Sequence, residues 1–146
     1  MTQVSEVGFS MAIKSKITNA YVNTERQALG EADDPHFVVL MMFDALLKSM
    51  SLFKENVTAK QGPSLELKSD SFSRSLTIIY ALQSSLDFEK GGSISDNLFQ
   101  LYEFSRQQIL SDMRAGEASG TVDAIGVLNE IRDAWAQIGP EIASSQ

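Results

Sequence analysis

His36 is the only histidine of the chain and there is no cysteine, so thiolate nucleophiles, disulfides and cysteine-based metal sites are unavailable. A lone imidazole could act as a base or a ligand, but His36 has no obvious triad partner. Its place just after Asp34-Pro35 reads as a surface or helix-start residue. Asp87, Glu89 and Asp96 cluster beside Gly91-Gly92, and neighbouring carboxylates can do general acid–base work inside a cleft. With no cleft indicated, the cluster reads as a solvated helix end. A di-iron centre would need several inward glutamates and paired Glu-x-x-His motifs, which one histidine cannot supply. Neither G-x-x-x-x-G-K-[ST] nor G-x-G-x-x-G occurs, and Gly91-Gly92 is expected to join two helices, so no phosphate cradle is indicated. The sequence therefore predicts no catalytic residue, no metal site and no cofactor.

What these residues sit on is helical. Asp33 to Phe53, DDPHFVVLMMFDALLKSMSLF, is the most apolar stretch. Asp34 can cap a helix through its side-chain oxygen, and Pro35 fits the first helical position, where a missing N–H costs nothing. At about 100° per residue, Asp44, Lys48, Ser51 and Glu55 share one strip, and Val39, Met42, Leu46, Met50 and Phe53 form the expected core strip opposite. Leu40, Phe43 and Leu47 flank that core on one side; Val38, Met41, Ala45 and Leu52 flank it on the other. The apolar arc is about twice the roughly 100° stripe of an ordinary surface helix. Two readings follow: a central bundle helix covered by its own neighbours, or a helix with one flank open to another protein's apolar segment.

The remaining elements follow the same period. Ile13, Ile17, Tyr21 and Ala28 give a thin amphipathic stripe ending near Gly30. The central helix is expected to run to about Ala59 and to stop at the Gly62-Pro63 turn. Phe72, Leu76, Ile79, Gln83 and Leu86 define the next helix, stopping at Gly91-Gly92. Ser93 or Ser95 opens another, with Ile94, Leu98, Leu101, Ser105 and Ile109 inward and Phe99, Tyr102 and Phe104 broadening its apolar face. AGEASGT interrupts the pattern before Val122, Ile125, Leu128, Ile131, Trp135 and Ile138, which end at Gly139-Pro140. The expected fold is all-α, an antiparallel up-and-down four-helix bundle with an additional short N-terminal helix. It forms one domain over residues 1–146, with a flexible segment at 1–12 and a polar tail at 140–146.

With 146 residues, 43% of them hydrophobic, the chain can bury a core unaided. Its formal net charge of -7 and sequence pI near 4.6, with lysines and arginines scattered, argue against nucleic-acid binding. The N-terminus shows no basic leader followed by an apolar run, and no stretch is expected to approach the roughly 20 apolar residues of a membrane span. A cytoplasmic protein with no membrane insertion is the expectation.

Two passages resemble the signature of the flagellin-specific export chaperones of the FliS type. AYVNTERQALGEADDPHFVVLMMFDALL places Tyr21, Pro35, Met41, Phe43 and Asp44 on that pattern. SLDFEKGGSISDNLFQLYEF is the more specific, with Leu86, Asp87, Glu89, Gly91, Gly92, Ile94, Asn97, Leu98, Leu101 and Tyr102 matching in order. The closing EIRDAW, with Trp135, is similar to the family's last helix. Ala45 stands where the family usually has Gly, and Asp33-Asp34 replace its Ala-Ser before Pro35. The resemblance implies a cytosolic chaperone, without enzymatic activity, that binds the disordered C-terminal region of flagellin, blocks premature polymerisation and delivers the subunit to the flagellar type III export apparatus. The export gate and other assembly factors are its further expected partners. The candidate partner-binding residues are then Ile17, Tyr21, Val38, Met41, Ala45, Leu98, Leu101 and Tyr102. Asp34, Pro35, Gly91, Gly92, Asn97 and Trp135 take structural roles. The competing readings are a bundle enzyme or metalloprotein and a non-catalytic scaffold whose apolar flank makes a homodimer.

Overall fold

The computed structural model of the chain describes residues 35–145, and their side chains from 36 to 138. Four helices occupy that span: α1 (Pro35–Asn56), α2 (Gly62–Ser84), α3 (Phe88–Ala115) and α4 (Ser119–Ser145). Helix α1 packs against α2 and α4, and α3 closes the ring by packing against the same two. Short connections and this neighbour order make an all-α bundle of the up-and-down kind, with no strand among the described residues. The expected N-terminal helix, with Ile13, Ile17 and Tyr21, and the expected cap of the central helix, Asp34, lie outside the described residues.

The core is apolar and aromatic. Val39, Phe43, Leu46, Met50 and Phe53 of α1 meet Ile79 and Leu82 of α2, Leu98, Tyr102 and Ile109 of α3, and Leu128, Trp135 and Ile138 of α4. Rings bridge the layers: Phe53 to Phe72 at 5.7 Å and Phe43 to Tyr102 at 6.4 Å between centroids. Phe43 is thus core, whereas the sequence reading put it on a flank and gave Met42, which is half-buried, the central place. The core direction of α1 is rotated toward Phe43, whose ring meets Tyr102 of α3.

Several boundaries differ from the sequence expectation. Helix α1 stops at Asn56, before Ala59, and Gly62-Pro63 opens α2 instead of merely ending α1. Proline suits a first turn because its missing N–H is one the helix leaves unpaired there. Helix α2 ends at Ser84, well before the glycine pair, because Asp87 starts α3: its carboxylate accepts the backbone N–H groups of Glu89 at 3.0 Å and Lys90 at 2.9 Å. Gly91 and Gly92 therefore lie inside α3, where Gly92 (φ 54, ψ -133) kinks it. Asp87, one of the acidic cluster, is an N-cap. Helix α4 continues through Gly139 and Pro140 to Ser145, so residues 140–145 are helix and not a tail. In α4, Thr121 and Ala124 face the core and Val122 faces solvent, 49% exposed.

By length and composition His36–Asn56 could cross a membrane, contrary to the sequence expectation that no stretch approaches a span. Its packing against α2 and α4 accounts for that apolarity within the bundle.

Candidate protein-docking face

Helix α1 is tied to α4 at its first turn and near its middle. Asp44 accepts from the Arg132 guanidinium through both oxygens, at 2.8 and 3.4 Å, and this hydrogen bonding raises the guanidinium pKa. At the first turn, His36 and Trp135 form a reciprocal clasp: the indole Nε1–H donates to the His36 carbonyl at 2.8 Å, and His36 Nε2 lies 2.6 Å from the Trp135 carbonyl. A carbonyl can only accept, so the proton sits on Nε2. The rings stack at 4.8 Å and 16°. His36 is buried, so it starts the helix as expected but is not a surface residue; its ring is committed to Trp135.

With α1 so oriented, one apolar strip remains on its outer side. Met41 and Phe37 are each 54% exposed, and Val38, Ala45 and Leu52 are half-buried beside them. Asp44, Lys48 and Glu55 supply the charged rim. Val38, Met41 and Ala45, the flank singled out from the sequence, therefore share one accessible surface. Phe37 was missed, yet the signal was there: at about 100° per residue it falls on the charged strip of Asp44, where an aromatic residue is out of place. The other large exposed apolar residues, Leu67, Tyr80, Phe88, Phe104 and Val122, are dispersed over α2, α3 and α4; Phe88 leans on Phe99 at 6.1 Å. Dispersed residues of this kind are ordinary on a protein surface.

The α3 candidates behave differently. Leu98 and Tyr102 are 2% and 0% exposed, so their side chains belong to the core and present nothing to a partner in this conformation. The helical period puts them on the same side as Ile94 and Ile109, and Tyr102 meets Phe43 of α1 across the bundle. Leu101 is half-buried and Asn97 is exposed. Ile17 and Tyr21 lie outside the described residues. Among the described residues no group of three His, Asp or Glu is placed to hold a metal ion. One carboxylate titrates abnormally: Glu103, half-buried on α3, is held at about 2, first by the Arg106 guanidinium and then by Gln107, with Gln83 of α2 adding a weaker bond. That group lies on the α2–α3 surface and braces two helices.

The geometry of the described residues defines an all-α helical bundle whose most hydrophobic helix carries a partly exposed apolar strip. A sequence model of the family described as flagellar protein FliS matches residues 17–142, and the chain belongs to that family. Among its relatives, the flagellar secretion chaperone FliS of Vibrio cholerae is 32% identical over 122 residues, covering 84% of this chain and 88% of the relative. The protein of the same name from Salmonella typhimurium is 29% identical over 123 residues, covering 84% and 89%. That of Escherichia coli is 27% identical over 127 residues, covering 84% and 89%.

Proposed function

We propose that this protein is a cytosolic export chaperone that holds the disordered C-terminal region of flagellin, prevents its premature polymerisation and delivers it to the flagellar type III export apparatus. It works by binding and not by catalysis. The observation that carries this reading is the apolar strip of Val38, Met41 and Ala45 on α1, with Met41 54% exposed, in a member of a family whose relatives are named flagellar secretion chaperones. An apolar groove beside a helix is a standard seat for an amphipathic segment. The small side chain of Ala45 permits close backbone approach, and the acidic surface, net charge -7, keeps such a strip soluble. Ile17 and Tyr21 are proposed to complete the contact surface, and the export gate and other assembly factors to be further partners.

The test is to mix the protein with the C-terminal segment of flagellin and measure the mass of the complex. A one-to-one complex is expected. A homodimer of the empty protein that the segment fails to dissociate would favour a self-associating scaffold.

A further inference from the structure

We propose that Met41 is an oxidation site, and that its sulfoxide switches off docking at the α1 face; this rests on the client-binding reading of that face. Four methionines lie among the residues with described side chains, and their settings differ sharply. Met50 is fully buried in the core, Met42 and Met113 are half-buried against it, and Met41 is 54% exposed. A thioether is oxidised where a peroxide can reach its sulfur. The reaction is a two-electron transfer: hydrogen peroxide gives one oxygen atom to the Met41 Sδ, forming the S=O bond as the O–O bond breaks, and water leaves. The sulfur is oxidised and the peroxide reduced, so no other reactant is needed.

The position gives this chemistry its consequence. Met41 sits between Phe37 and Ala45 on one face of α1, one helical turn from each. An apolar segment seated there must desolvate the Met41 side chain. Once oxidised, that side chain is polar and chiral and carries a strong acceptor oxygen that an apolar partner cannot satisfy. The bundle itself is spared, because the core meets the opposite side of α1 through Phe43, Leu46 and Met50. The lesion therefore separates binding from folding, and methionine sulfoxide reductases can reverse it, one enzyme for each sulfoxide epimer.

The experiment treats the full chain with graded hydrogen peroxide, maps sulfoxides by fragment mass spectrometry, and measures affinity for a C-terminal flagellin peptide and the melting temperature in parallel. Met41 is expected to oxidise ahead of Met42, Met50 and Met113. Affinity should fall about tenfold, the worth of losing roughly half the burial of a methionine side chain, while the melting temperature holds. Methionine sulfoxide reductase should restore binding, and Met41→Leu should keep its affinity through the same treatment. Oxidation of Met50 or Met113 before Met41 overturns the proposal, as does undiminished affinity with Met41 oxidised, or equal loss in the Met41→Leu variant. If the untreated protein binds no flagellin peptide, the proposed function fails and the switch with it, whereas untreated binding that survives Met41 oxidation overturns the switch alone.

Discussion

Replacing Asp112 by alanine should destabilise the bundle by roughly 2–3 kcal/mol, although the residue lies on α3 and not on the α1 strip. Helix α4 starts at Ser119, and Ala118, whose carbonyl accepts the first bond from the Val122 N–H, has no side-chain oxygen to cap it. The cap comes from the preceding helix instead: Asp112 Oδ2 accepts from the Thr121 backbone N–H at 2.6 Å and from the Thr121 hydroxyl at 2.7 Å. Both residues are buried, at 4% and 0% exposure. A hydrogen bond to a charged acceptor contributes roughly 1.5–3 kcal/mol, and stranding a buried N–H costs about 1–3 kcal/mol. The hydroxyl can rotate to another acceptor while the N–H cannot, so the loss lies in the upper part of one bond and not at the sum of two. For a chain of this size that corresponds to a fall in Tm of roughly 6–12 °C. Asp112→Asn keeps an acceptor without the charge and should cost about half as much. Urea unfolding followed by circular dichroism measures both. A loss within about 0.5 kcal/mol for Asp112→Ala, typical of a plain surface position, would refute the interhelical cap.

Gly92 offers a second test. Its φ of 54 and ψ of -133 exclude an L side chain, although a Cβ there would meet nothing within 4 Å. Gly92→Ala should therefore cost roughly 1–3 kcal/mol through backbone strain alone, while D-alanine, introduced by semisynthesis, should be tolerated because the mirror-image angles are ordinary extended backbone. Ser75, buried with its hydroxyl unpaired, should be replaceable by alanine without loss and with up to about 1 kcal/mol gained, as thermal unfolding would show. Glu103 makes stability pH-dependent. Its folded pKa of about 2 lies below the ordinary 4.5, so its contribution is present above about pH 4.5 and is lost as pH falls through 2. Partial exposure limits that contribution to less than about 1 kcal/mol. Acid titrations of wild type and Glu103→Gln should converge near pH 2; a constant offset across the range would contradict the assignment.

The helical period carried most of the architecture because each helix packs one face inward. Val39, Leu46, Met50 and Phe53, like Leu128, Ile131, Trp135 and Ile138, are buried where that period puts them. It failed where orientation depends on neighbours. Phe43 and Met42 lie about 100° apart on α1, and only the positions of α3 and α4 decide which points inward. It also failed where a short polar contact overrides an apolar pattern. Asp87 restarts the chain as helix four residues before Gly91, so the glycine pair that looks like a break between helices is a kink within one. His36 was legible as a helix start but not as buried, since its partner Trp135 lies 99 residues away. The accessible face was readable as Val38, Met41 and Ala45 because a flank wider than a core requires is a local property of one helix. On α3 the helical period put Leu98 in the inward row, where it is buried, while the family motif offered it and Tyr102 as client contacts, because such a motif marks fold-determining and client-contacting positions alike.

The central claim is that the outer strip of α1 binds the flagellin C-terminal region. It is tested most directly by titrating a C-terminal flagellin peptide into the full chain, into Met41→Glu and Ala45→Leu on the strip, and into Leu67→Glu, at a 44% exposed position on α2. Isothermal calorimetry should report one-to-one binding to the wild type and to Leu67→Glu. Binding should weaken at least about tenfold for the two strip variants, one desolvated side chain's worth, with their melting temperatures within a few degrees of the wild type. No binding by the wild type, equal weakening by Leu67→Glu, or a loss of affinity that tracks a loss of stability would contradict it.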